Sequence, residues 1–181
     1  MAKSESLFPI LQPSPLTGLA RTAAEAPLDS TGCFTEYRPL TSRSILNKVT
    51  SNRGLPFRHA INPYRGCEFG CRYCYARYTH AFLELGPDEF ERRIYFKQNA
   101  AWLLGQELKR LKPGTEIAIG TATDPYQPLE RRLKITRSLL EMFARHGGFR
   151  LGIITKSALV SRDIDLLREV EKSNALTLHI T

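Results

Sequence analysis

The stretch Asn62-Pro63-Tyr64-Arg65-Gly66-Cys67-Glu68-Phe69-Gly70-Cys71-Arg72-Tyr73-Cys74-Tyr75 gathers three of the four cysteines of this 181-residue chain into eight positions. The spacing is CxxxCxxC, with an aromatic residue immediately before the third cysteine. Three thiolates ligate three irons of a cubane 4Fe-4S cluster and leave the fourth iron open to a ligand, whereas an electron-carrying cluster usually has four cysteines. Gly66 and Gly70 let the loop wrap closely and turn backbone N–H groups toward sulfur, which tunes a cluster's potential. Two plainer readings compete. Structural zinc would need His80 as a fourth ligand, but structural zinc sites usually pair their ligands as two separated knuckles. A thioredoxin-like dithiol at Cys71 and Cys74 leaves the third cysteine unexplained.

Outward from this loop the chain reads as alternating strand and helix. Residues 60–62 make a first strand, ended by Pro63. Residues 75–85 read as helix closed by Gly86 and Pro87, residues 93–97 as a short extended run, and residues 100–111 as a helix stopped by Pro113 and Gly114. Strands are expected over 116–121, 150–155 and 176–181, with helices over 129–146 and 161–172. Such alternation implies parallel βαβ units in an α/β fold, whose ligands gather at the carboxyl ends of the strands.

Residues 1–42 hold Pro9, Pro13, Pro15, Pro27 and Pro39 and no sustained period, so most of this segment is expected to be disordered or extended, with the domain proper running over 43–181. The apolar patch Leu7–Leu11 lies in this tail, as does Cys33, which reads as a bland free thiol. No apolar run is long enough to span a bilayer and the start lacks the core of a signal peptide; a cytoplasmic protein is expected. Four cysteines are too few for a disulfide scaffold, which suits a reducing compartment. The formal charge is +8, and residues 41–80 carry Arg43, Lys48, Arg53, Arg58, Arg65, Arg72 and Arg77 against the single acid Glu68. That field suits nucleic acid or another anionic partner, and equally a cluster whose thiolates and sulfides are negative.

Two further loops fall at strand ends. Gly120 to Pro128, with Thr121, Thr123 and Asp124, is dense in turn-forming residues; its plain reading is a capped turn in which Asp124 satisfies backbone donors. Thr155-Lys156-Ser157 places a cation and two hydroxyls at the next strand end, and Thr181 closes the fourth strand.

The signature CxxxCxΦC, with Φ aromatic, is that of the radical S-adenosylmethionine superfamily, and the chain resembles it at Cys67, Cys71, Tyr73 and Cys74. The resemblance implies a partial (βα)6 barrel of TIM type, a 4Fe-4S cluster on the three cysteines, and S-adenosyl-L-methionine on the open iron. Tyr73 would lie against the adenine, Lys156 and Ser157 would stand near the methionine carboxylate, and Thr181 would meet a ribose hydroxyl. The GGE motif common in the superfamily is absent, so Thr121, Thr123 and Asp124 would take its place. A low-potential donor such as flavodoxin or ferredoxin would supply electrons. Residues 62–75, 120–128 and 155–159 resemble the branch of spore photoproduct lyase and its uncharacterised DNA repair photolyase-like relatives. That branch implies a radical enzyme, lyase-like, with a nucleic acid substrate. Only four barrel strands are expected before Thr181, so two βα units and any hydrogen-donor residue would be missing. The rival classes are a zinc-stapled nucleic-acid-binding module and a non-catalytic iron–sulfur electron-transfer or scaffold protein.

Overall fold

The computed structural model describes residues 15–50 and 54–181. The patch Leu7–Leu11 and Arg53 lie outside them. In chain order the elements are α1 (Gly18–Glu25), β1 (Ser30–Thr31), β2 (Glu36–Leu40), β3 (Leu46–Lys48), β4 (His59–Ile61), β5 (Tyr64–Arg65), β6 (Arg93–Lys97), α2 (Ala100–Leu108), β7 (Glu116–Ile119), α3 (Glu130–Leu133), α4 (Ile135–Arg145), β8 (Arg150–Thr155), α5 (Ile164–Glu171) and β9 (Ala175–Ile180). Three 3-10 segments join them: Tyr75–Leu83, Pro87–Glu89 and Ala158–Asp163.

The main sheet has the order β3-β4-β7-β8-β9. Its last four strands are parallel, in registers that align Ile61 with Ile119, Ile119 with Ile153, and Ile153 with Leu178. These are the four strands expected from the sequence, in sequential order. Helices α2, α4 and α5 pack together, and Leu104, Leu139, Phe143 and Val170 meet Ile61, Ile117, Ile119 and Ile153 in one core. The apolar runs of β7 and β8 become strands here because each is buried under the helices that follow it. The sheet is open, not closed into a barrel, with β3 at one edge and β9 at the other. On β9, Leu178 and Ile180 are exposed.

A second sheet, β1-β2-β6-β5, carries the run expected at 93–97. It overturns the disordered reading for much of 15–42: β2 pairs in parallel with β6 over its whole length. Leu40 is buried with Leu83, Tyr95 and the α1 residue Ala23. Partners so distant in sequence leave no local period to read. Two helix expectations are also refined. The helix at 129–146 breaks at Lys134, a left-handed residue with φ 53°, into α3 and α4. Residues 75–83 wind as 3-10 rather than α-helix. Among the described residues no helix is long and apolar enough to cross a membrane.

Candidate metal and ligand site

The carboxyl ends of β7, β8 and β9 meet the cysteine loop, which follows β4, around a pocket of about 320 Å³. Cys67, Cys71 and Cys74 all line it, and so do Tyr73, Thr121 and Thr123. Asp124, Lys156 and Thr181 complete the set expected from the sequence. Ser157 does not join them: its Oγ accepts the Leu159 N–H and caps the 3-10 turn that follows. A larger concavity of about 610 Å³ runs along the main sheet between Phe57, Arg150 and His179, and it holds no cysteine.

The loop is held by Gly66, as its place in the motif leads one to expect, and by partners that drew no role from the sequence. Gly66 has φ 82°, and a Cβ there would stand 2.7 Å from the Phe90 carbonyl oxygen and 2.8 Å from that of Arg93. Only glycine lets the chain pass this close. Cys67 N–H bonds to Phe90 O at 2.9 Å. Fully buried Gln127 accepts the Glu68 N–H at 3.1 Å and donates to Gly66 O at 3.4 Å. Glu68 accepts from Leu129 N at 2.9 Å and from the Tyr37 hydroxyl at 2.8 Å. Arg77 donates to Gly70 O at 3.0 Å and Cys71 O at 3.3 Å while paired with Glu91 at 2.6 Å.

The pocket floor is cross-braced. Asn62 Oδ1 accepts from Ala122 N at 2.8 Å and Thr123 N at 3.3 Å, and its Nδ2 donates to Thr121 Oγ1 at 3.1 Å. Asp124 accepts from Tyr126 N at 2.8 Å, Thr155 Oγ1 at 2.6 Å and Lys156 N at 2.8 Å. Its carboxylate is therefore spent on the turn and on the end of β8, as the plain reading of the sequence has it. Thr123 is buried, its hydroxyl directed to Tyr64 O at 3.4 Å. The Tyr75 hydroxyl meets Thr121 O.

Below this floor lies a network of charges. Glu130, fully buried, accepts from Tyr64 OH, from Thr136 N at 2.9 Å and Arg137 N at 3.2 Å, and pairs with Arg162 at 3.0 Å. Arg162 and Arg137 both pair with buried Asp163 at 2.7 Å. The two arginines hold the Asp163 carboxyl below its ordinary range against the opposing pull of burial.

At the mouth, Lys156 Nζ sits 3.0 Å from the exposed Tyr73 hydroxyl and 5.3 Å from its ring centre. The Tyr73 and Cys71 side chains raise the Lys156 ammonium above its ordinary value, so it stays charged. Burial pushes the Cys67 thiol up to about 11, opposed by the backbone N–H groups of Asp124 and Phe69. A buried thiol aimed into a pocket is inert until a metal takes its proton, and N–H groups already directed at that sulfur suit a bound thiolate. Three thiols of one loop around one pocket form a donor set fitting a cubane cluster, one iron to each sulfur.

His80 is not a ligand of this set. It is fully buried against Phe90 and Tyr95, with Nε2 on the Arg93 carbonyl at 3.0 Å. No group of three His, Cys, Asp or Glu side chains among the described residues comes together to hold a single metal ion.

Comparison with known proteins agrees with this geometry. Uncharacterised proteins of Mycobacterium bovis and Mycobacterium tuberculosis are 37% identical over 147 residues, covering 80% of this chain and 43% of theirs. An uncharacterised protein of Methanocaldococcus jannaschii is 33% identical over 112 residues, covering 62% of this chain and 40% of its own. The chain thus spans less than half the length of these relatives. A solved structure of a spore photoproduct lyase mutant with dinucleoside spore photoproduct superposes with a TM-score of 0.55 at 18% identity, over 76% of this chain and 37% of that one. The fold is shared. The family model of the radical SAM superfamily matches residues 61–181, from the end of β4 through the last residue, and the chain belongs to that superfamily.

Proposed function

We propose that Cys67, Cys71 and Cys74 hold a 4Fe-4S cluster and that the pocket beside them binds S-adenosyl-L-methionine for reductive cleavage. The observation that carries this reading is the meeting of all three cysteines with the ends of three parallel strands around one pocket. A cluster held by these three cysteines would supply the single electron needed for reductive cleavage of S-adenosylmethionine to methionine and a 5′-deoxyadenosyl radical, the species that would take a hydrogen atom from substrate. The chain's own part is to bind and orient. Tyr73 offers an exposed ring to the adenine, Lys156 a mobile cation to the methionine carboxylate, and Thr181 a polar group to the ribose. Asp124 acts from beneath, by fixing the Lys156 backbone. A low-potential flavodoxin or ferredoxin fits as the electron source.

For the substrate we favour nucleic acid. Arg43, Lys48, Arg58 and Arg72 are exposed cations on or near the segment that carries the cysteines. Arg77 is committed to Glu91 and the Arg65 Nε is buried, so neither joins the exposed cations that a nucleic acid backbone would meet. The neighbouring fold bound to a dinucleoside lesion points the same way and makes a lyase-type DNA repair reaction the first to assay.

The test is anaerobic reconstitution of the chain, expected to give about four irons and four sulfides, lost in Cys71→Ala. Reduced protein carrying the length of its relatives should then form 5′-deoxyadenosine. Stoichiometric zinc without iron, or a loaded full-length form that never yields this product, overturns the reading. Binding of oligonucleotides that is absent or indifferent to salt overturns the nucleic acid part alone.

A further inference from the structure

Away from the cysteine pocket, the small sheet carries two cations, Arg65 and Lys97, that are largely buried and enter no ion pair among the described residues. The antiparallel register sets Arg65 of β5 opposite Tyr95 of β6. Side chains alternate along a strand, so Arg65, Tyr95 and Lys97 stand on one face, with Arg65 and Lys97 as diagonal neighbours. That face is covered by the apolar cluster of Leu40, Leu83 and Ala23. Lys97 is 5% exposed. Arg65 Nε is buried and makes no hydrogen bond.

None of the ion pairs among the described residues uses either side chain. Glu107 lies close enough to favour the Lys97 charge, but its carboxylate is already taken by the Ile45 and Leu46 N–H groups. His80 closes the same region, its ring 6.5 Å from that of Tyr95. Its Nε2 faces the Arg93 carbonyl and so carries the hydrogen, which leaves Nδ1 as a buried lone pair without a donor. Two like charges on one sheet face repel, and burial penalises each further. Lysine can escape by losing its proton, and burial pulls Lys97 down to about 7. Arginine has no such escape. Something must answer the guanidinium.

We propose that Arg65 and Lys97 form a binding site for a phosphate group, entered from the partly exposed guanidinium of Arg65 and closed by His80. Hydrogen phosphate matches the set: its oxygens accept from Arg65 Nε and Lys97 Nζ, and its O–H donates to His80 Nδ1. None of these three side chains lines the pocket of the cysteines.

Inorganic phosphate titrated calorimetrically into the whole chain at fixed ionic strength should bind saturably, one per chain. Lys97→Met and Arg65→Gln should each weaken it about tenfold or more, whereas Lys109→Gln, at an exposed position after α2, should not. Acetate, which lacks an O–H at neutral pH, should bind more weakly than phosphate. The proposal is overturned if the wild type shows no saturable binding, or if Lys97→Met titrates as the wild type does. It is likewise overturned if Lys109→Gln removes the binding, or if acetate binds as tightly.

Discussion

Replacing Glu130 with alanine should remove the keystone beneath the site. Its carboxylate serves four donors: the Tyr64 hydroxyl, the Thr136 and Arg137 N–H groups, and Arg162. Arg162 retains Asp163, so the guanidinium is not stranded. The other three donors lose their acceptor, and Tyr64 and Thr136 are fully buried. Each buried donor left unsatisfied costs about 1–3 kcal/mol, and breaking a buried pair costs roughly 3–5 kcal/mol in measured cases. Since these figures overlap and do not add, the expected loss is about 4 kcal/mol. For a chain of this size that is a fall in Tm of roughly 8–16 °C. Glu130→Gln keeps one acceptor oxygen and the packing volume, and should lose about half as much. Urea unfolding followed by far-ultraviolet dichroism gives both values, provided a single transition is seen. A loss below about 1 kcal/mol for the alanine variant would refute the view that this network supports the strand ends.

Three other expectations rest on the same geometry. Gly66→Ala forces a Cβ onto two carbonyl oxygens at positive φ and should cost about 2–4 kcal/mol, with iron loading falling in the reconstitution assay. Asn62→Ala strips the acceptor from Ala122 and Thr123 and should cost about 1–3 kcal/mol, whereas Asn62→Asp, which keeps that acceptor, should cost less. Burial lowers Lys97 from 10.5 to about 7, so between those pH values the unfolded chain holds a proton that the folded chain has released. Stability should therefore rise with pH across that window, by up to about 5 kcal/mol, in wild type relative to Lys97→Met, measured by urea unfolding in phosphate-free buffer.

Much of the site was legible because its chemistry is local. The cysteine loop, Gly120–Pro128 and Thr155–Lys156 each announce themselves by composition, and strand–helix alternation places their ends together. What escaped depends on partners far along the chain. Gln127 meets Glu68 across 59 positions, and Glu130 meets Tyr64 across 66. In sequence each is one polar residue among others. Ser157 was read as a ligand because a hydroxyl at a strand end is ambiguous between pocket and cap, and backbone geometry chose the cap. The strand β2 contains Pro39, which argues against a central strand. Its pairing with β6 becomes visible only once Leu40 is seen buried under Leu83. Nothing local in the run 93–97 marks Lys97 as buried; its burial comes with the pairing of β2 and β5 on either side of β6.

The bracing of Asn62 and Asp124 bears on how a ligand would be received. The loop after β7 carries two adjacent N–H groups fixed by Asn62, and the backbone of Lys156 is fixed by Asp124. Connecting loops usually surrender conformational freedom when they close on a ligand, and that loss weakens binding. Here the cradle already has its shape, so little of the interaction energy goes into ordering it. The same stiffness narrows selection: a molecule that does not fit the pocket at the ends of β7 and β8 cannot remould it, and discrimination falls to Tyr73 and Lys156 at the rim.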